Sequence, residues 1–170
     1  MKRIIMHWSA GQNTVSDLDR EHYHFIVDGH GAVVSGRYNP EANEVIRGGA
    51  YAAHTRACNT GAIGVAMAAM VGAIERPFSA GNSPITGPQL AAFTDLIADL
   101  AHTYGIAVTR KTILSHAEVQ PTLGIWQRGK WDIAWLPGMK APADPVIVGD
   151  RLRAEIAAKL AKIPRKRLFG

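Results

Sequence analysis

The segment from Gly61 to Ala69 is a nearly continuous apolar run, and no other stretch constrains the fold of this chain as much. A strand with one face in water alternates apolar and polar residues, whereas a run without alternation must be covered on both faces. Layers on each side of a central sheet are therefore required. The wider stretch Ala57–Ile74 carries no charge and approaches the roughly 20 residues that span a bilayer. Gly, Ala, Asn and Thr dominate it, so its transfer into lipid is unfavourable, and the expectation is a buried strand with flanking loops.

Neighbouring segments supply the other layers. Lys2–Met6 reads as a short β-rich run ending at His7, followed by the loop-forming Ser9–Asn13. Tyr23–Val27 is a second strand; Asp28-Gly29-His30-Gly31 supplies a turn, and Ala32–Ser35 pairs back as a hairpin. Thr86-Gly87-Pro88-Gln89 fits a capping box with proline in the first turn. Leu90, Phe93, Ile97, Leu100 and Tyr104 then recur at helical spacing, and Gly105 is the stop. Lys111–Ser115 is a further short strand that delivers His116 into a loop, and Asp150 is expected to cap a last helix with Leu152, Ile156, Leu160 and Ile163 as its stripe. Strands alternate with helices, which predicts an α/β (α+β) fold with a central mixed β-sheet flanked by helices. A chain of 170 residues with no repeat or linker is one domain, with residues 1–150 as its body and 151–170 as a basic C-terminal helix and tail.

Composition excludes several function classes. A chain 47% hydrophobic and 19% charged is neither disordered nor fibrous. A single cysteine, Cys58, rules out an internal disulfide framework and a Cys-rich zinc ribbon. The net charge of +5 comes from residues 151–170, whose 7 bases face only Glu155, while the first 150 residues hold 12 bases and 13 acids. Such a tail is either a solvated face or an attraction for anionic envelope polymers or membrane lipid. Aromatic residues are not interleaved with these bases, so nucleic acid is not an expected partner. Only Ile4–Met6 separate Lys2 and Arg3 from His7, shorter than the roughly 7–15 residues of a signal-peptide core, so synthesis in the cytoplasm without a signal peptide is expected.

Seven histidines are present. His22, His30 and His102 fall in a loop, a turn and a polar helix face and read as surface residues. His7 and His116 each close a predicted strand, where an α/β scaffold presents functional groups at a cleft. Asp132 lies in the aromatic-rich Gly129-Lys130-Trp131-Asp132. Two imidazoles and one carboxylate leave a fourth tetrahedral zinc position for water, which suits catalysis. Spacing alone leaves a metal site and unrelated histidines both open.

The order of the surrounding motifs adds to this. His7-Trp8-Ser9-Ala10, Tyr23-His24-Phe25-Ile26-Val27, Gly36-Arg37, Ala53-His54, Asn59-Thr60-Gly61-Ala62-Ile63-Gly64-Val65, Pro88-Gln89-Leu90, His116-Ala117-Glu118-Val119 and Lys130-Trp131-Asp132 follow in sequence. The series resembles the type 2 zinc-dependent N-acetylmuramoyl-L-alanine amidases, which include bacteriophage lysozyme-amidases and are related to peptidoglycan recognition proteins. The resemblance implies Zn²⁺ held by His7, His116 and Asp132, catalytic roles for Tyr23 and Lys130, and a substrate groove lined by His54 and Asn59. It also implies peptidoglycan as the substrate and a monomeric enzyme, a phage or prophage endolysin acting on the cell wall after release. Alternatives are a cytosolic muropeptide-recycling amidase, a non-catalytic recognition module, and a zinc peptidase cutting within the stem peptide.

Relative to that family, the stretch between His7 and Tyr23 is short, so its helix is expected to be reduced or missing. The loop from His116 to Lys130 is longer, with Thr122–Arg128 inserted. His24 is expected to face away from Tyr23 and to belong to the core or to support the metal site, and Glu118 to orient an imidazole or a loop.

Overall fold

The computed structural model describes residues 1–164. Five strands form one sheet in the order β3-β2-β4-β1-β5, with β1 Arg3–Trp8, β2 Phe25–Val27, β3 Val33–Ser35, β4 Ala62–Met67 and β5 Ile113–Ser115. All neighbours are parallel except the β2–β3 hairpin. The apolar run lies at the sheet centre as β4, and every one of its residues is buried. Among the described residues, four α-helices accompany the sheet: α1 Asp17–His22, α2 Gly87–Tyr104, α3 His116–Leu123 and α4 Pro145–Leu160. No helix among the described residues is long and apolar enough to cross a membrane.

The two sheet faces differ in side-chain size, and this decides where a site can form. Successive residues of a strand point to opposite faces. Ile4, Met6 and Trp8 of β1 and Ile63, Val65 and Met67 of β4 join Phe93 and Ile97 of α2 and Val148, Leu152 and Ile156 of α4 in the main core. The other face of β4 carries Ala62, Gly64 and Ala66. There Ile5, Ala62, Leu114 and Val119 pack under α3, and Ile26 and Ala66 pack with Tyr23. Bulk on one face anchors the helices; small residues on the other leave room for polar rings.

The sequence-predicted helix over 87–104 forms with its capping box, Thr86 accepting from Gln89 N, and stops at Gly105 in the left-handed region. Gln89 is fully buried and donates from Nε2 to both Val27 O and Ala68 O, which ties α2 to the sheet. The last helix differs from expectation. It begins at Pro145, capped by Asp144 Oδ1, which accepts from Val146 N and Ile147 N. Proline at the first position makes that start favourable. Asp150 lies inside the helix and pairs with Arg110 and Arg153.

The short stretch before Tyr23 holds only the six-residue helix α1, in line with the reduced helix expected there. Two further expectations need correction. The stretch after His116 begins as helix α3 instead of a loop. Of the C-terminal bases, Arg153 is buried against Glu118 and Asp150, and Lys159 pairs with Asp95 and Glu155, so neither is a free surface charge. Arg165, Lys166 and Arg167 of the predicted tail lie outside the described residues.

Candidate metal centre and substrate groove

His7 sits within β1, one residue before its end, on the face opposite Met6 and Trp8. His116 opens α3 directly after β5, which pairs with β1. Asp132 follows α3 in a loop whose backbone is tied to that helix, Ala117 N donating to Asp132 O at 2.6 Å. These three connections bring together residues far apart in sequence. His7 Nδ1 and His116 Nδ1 lie 3.1 and 3.2 Å from the same oxygen, Asp132 Oδ2. All three residues are buried, and their ligand atoms lie within 4.8 Å of one another.

The protonation pattern follows from the partners on the far side of each ring. Gln127 donates from Nε2 to Arg56 O at 2.9 Å, so its Oε1 faces His116 Nε2, also at 2.9 Å. A carbonyl oxygen only accepts, so a neutral His116 carries its proton on Nε2. Its Nδ1 lone pair then points at the carboxylate of Asp132. Two acceptors at that distance repel unless a proton or a metal cation lies between them. For His7 the chain is longer: His54 donates from Nε2 to Ala62 O at 3.4 Å, its Nδ1 accepts from the Thr55 hydroxyl at 2.8 Å, and Thr55 Oγ1 is left to accept from His7 Nε2 at 3.3 Å.

The donor set fits a divalent metal such as zinc. Tetrahedral ligands at about 2.0–2.1 Å from zinc lie about 3.3 Å from each other, close to the two separations seen here. Burial holds the His7 pKa down at about 4, against the opposing pull of Asp132, so the ring is neutral. Burial works against ionisation of Asp132, but the two imidazoles beside it, His116 before His7, outweigh it and bring its pKa to about 2. Two neutral imidazoles and one carboxylate are the protonation states a metal requires.

Tyr23 and Lys130 flank this cluster. The Tyr23 ring centroid is 5.1 Å from that of His7, and burial, reinforced by the charge of Asp132, raises the phenol pKa. Tyr23, Lys130 and Trp131 line a cavity of about 180 Å³ together with the candidate ligands His116 and Asp132. Lys130 is exposed and also borders a groove of about 490 Å³ lined by Tyr51, Asn59 and Gln127. Its side chain has no hydrogen bond or ion pair among the described residues. Trp131 packs edge-on against Trp8 at 4.7 Å, so the neighbours of Asp132 and His7 lock the two segments together.

His54 and Asn59 both border the groove, but most of their polar groups serve the protein itself. Asn59 Oδ1 accepts from His54 N and Thr55 N and so fixes the loop. His54 is buried behind His7, and burial pushes its pKa well down. A Cβ on Gly64 would overlap the His54 ring, so glycine is what admits it.

His24 is buried, with Nδ1 accepting from Gly64 N at 2.9 Å and its ring 5.6 Å from that of His54. The ring of Tyr23 lies against His7 and that of His24 against His54, and β2 begins only at Phe25, after both residues. Glu118 is fully buried, accepts from Ser115 N at 2.7 Å and pairs with Arg153 at 2.8 Å. It therefore holds the backbone just before His116 and does not touch the imidazole, whose two nitrogens face Asp132 and Gln127.

Thr55 and Gln127, which set the ring tautomers, were not evident from the sequence. Thr55 follows His54 directly, and Gln127 lies in the inserted segment, so an insertion beside a ligand was the available signal. For Gly64 the signal was the small-residue alternation Ala62, Gly64, Ala66.

Residues 1–138 match the sequence profile of a family described as N-acetylmuramoyl-L-alanine amidase. No curated protein sequence matches the chain. Among solved structures, the N-acetylmuramoyl-L-alanine amidase LysC from Clostridium intestinale URNW is similar with a TM-score of 0.54 and 17% identity, over 92% of this chain and 85% of its own. The endolysin amidase LysCS from the same organism gives 0.54 and 17% over 92% and 83%. AmiD from E. coli, solved with anhydro-N-acetylmuramic acid-L-Ala-D-γ-Glu-L-Lys, gives 0.50 and 19% over 69% and 48%. At these identities the structures establish a shared fold. The sequence profile, which extends from β1 through the loop carrying Asp132, shows that this chain belongs to the N-acetylmuramoyl-L-alanine amidase family.

Proposed function

We propose that this amidase is zinc-dependent, cleaves the amide between N-acetylmuramic acid and L-alanine of peptidoglycan, and serves as a phage or prophage endolysin. The observation that carries the zinc assignment is the pair of imidazole Nδ1 atoms converging on Asp132 Oδ2 at 3.1 and 3.2 Å while their Nε2 atoms face acceptors. The endolysin role rests on likeness to the Clostridium endolysin.

His7, His116 and Asp132 are the residues that hold the metal. Bound zinc supplies a Lewis acid and a water that ionises near neutral pH. The chain's own groups do the rest. Lys130, a free ammonium where the cavity meets the groove, stabilises negative charge developing on the carbonyl oxygen. Tyr23, kept protonated, offers a phenolic hydrogen-bond donor to the reacting centre. Thr55 and His54 keep the His7 tautomer fixed from behind, and Gln127 does the same for His116. His54 and Asn59 shape the groove wall on which the substrate lies. The enzyme acts as a monomer. Arg151 on α4 and Lys162 just after it, both exposed, draw it towards anionic envelope polymers.

Digestion of purified sacculi with and without a zinc chelator tests this reading. The expected products are new L-alanine amino termini with intact glycan strands, lost on chelation and restored by zinc. Binding without cleavage makes the protein a recognition module instead. Activity confined to soluble anhydro-muropeptides, the compound class solved with AmiD, assigns it to recycling rather than to lysis.

A further inference from the structure

Next to the metal centre, the inserted segment places an exposed aromatic ring between two cations. Trp126 is 59% exposed, with Arg56 Cζ 5.7 Å and Arg128 Cζ 5.6 Å from its ring. Neither guanidinium has a hydrogen bond or ion pair with a carboxylate among the described residues, unlike Arg37, Arg110 and Arg153. With Lys130 they line the groove of about 490 Å³, whose lining includes no acidic residue. Two like charges gathered on one ring repel, and a cation–π contact at an exposed site returns only about 0.5–1 kcal/mol each. An anion is what completes such an arrangement.

The backbone carries this geometry at a cost. Arg128 has φ 55°, and Ala57, next to Arg56, has φ 54°. Non-glycine residues in the left-handed region are uncommon, and such strain concentrates at functional sites. Gln127 then fixes the offset from the reaction centre: one carboxamide binds both Arg56 O and the His116 ring. The cation pair is thus held in register with the candidate ligand triad. A neutral sugar is the wrong occupant, because the Trp126 ring is already engaged by guanidinium groups.

We infer that Arg56 and Arg128 bind a carboxylate of the stem peptide, so that the enzyme selects an anionic stem over its amidated form. This rests on the peptidoglycan-amidase reading above. The carboxylate nearest the scissile bond in such a stem is the α-carboxylate that a γ-linked D-glutamate leaves free. A planar guanidinium meets a carboxylate through paired N–H donors, and a carboxamide cannot accept at both of its positions.

The test uses two synthetic muropeptides, N-acetylmuramic acid-L-Ala-D-γ-Glu-L-Lys and the same compound with the glutamate α-carboxylate as a carboxamide. The wild-type kcat/KM is expected to favour the free acid by about 10- to 100-fold. Arg56→Gln and Arg128→Gln each shrink that ratio, and the double variant brings it close to one. Arg47→Gln, an exposed arginine on the loop before β4, keeps it. Equal wild-type kcat/KM for both compounds, an undiminished ratio in the double variant, or an equal loss in Arg47→Gln overturns the inference. Cleavage of neither compound defeats the amidase reading separately. A tryptophan-fluorescence titration with the same pair then decides: tighter binding of the free acid, lost in the double variant, upholds the carboxylate site, and equal affinity removes it.

Discussion

Gln127 Oε1 stands 2.9 Å from His116 Nε2 and holds the ring so that Nδ1 meets Asp132. Gln127→Ala therefore frees the imidazole to rotate or change tautomer. Zinc affinity is expected to fall about 10- to 100-fold, the usual effect of losing a residue that orients a metal ligand. Competition against a chromophoric chelator measures it, and wild-type affinity in the variant would show that packing alone holds the ring.

Lys130 is exposed and unpaired among the described residues, so removing its charge leaves the fold and the three candidate ligands in place. Lys130→Ala is expected to lose about 2.7–4 kcal/mol of transition-state stabilisation, a fall in kcat of about 100- to 1,000-fold, while zinc content stays stoichiometric. Parallel loss of bound zinc would make Lys130 part of site assembly instead of the reaction.

The buried pair Glu118–Arg153 joins α3 to α4 beside the candidate metal centre. Removing one partner leaves the other charge desolvated, so Glu118→Ala is expected to cost about 3 kcal/mol in urea unfolding, moderated by the remaining bond from Arg153 to Asp150. Gly149→Ala attacks the same pair from the other side, because an added Cβ would meet the Glu118 carboxylate within van der Waals distance. It is expected to destabilise by about 1–3 kcal/mol. Wild-type unfolding midpoints in both variants would place the pair outside the stability of the fold.

Acid stability depends on His24. Burial lowers its pKa to about 4 from 6.5, and protonating Nδ1 would break its bond from Gly64 N. Above pH 6.5 neither the folded nor the unfolded chain protonates it. As the pH falls from 6.5 towards 4, the unfolded chain takes up a proton that the folded one refuses, so stability declines by up to about 1.4 kcal/mol per pH unit. Below that window both states are protonated and the slope ends. His54, also depressed by burial, acts in the same direction. Urea midpoints of the metal-free protein taken between about pH 7 and 4.5 should fall, and His24→Asn should reduce the slope. A flat profile would place a protonated imidazole in the folded state.

By itself the sequence determined the parts that local rules govern. The unalternating run over Gly61–Ala69 required a doubly covered strand; Thr86, Gln89 and Gly105 marked both ends of α2; and the ordered motifs from His7 to Asp132 pointed to the family that the profile match bears out. These are readable because periodicity, capping and motif order are properties of neighbours along the chain. The start of α4 was legible too, in Asp144-Pro145, but Asp150 offered a competing cap, and only the core positions of Val148 and Leu152 decided between them.

Tertiary structure alone decided how the site is oriented. That Gln127 reaches back to His116, that Thr55 and His54 stand behind His7, and that Glu118 turns from the candidate ligands to Arg153 depend on which loops the sheet order brings together. Hydrogen-bond partners separated by 40 or more residues leave no periodic trace. Their identity is fixed only when β1, β4 and β5 lie side by side and burial obliges each polar atom to find a partner.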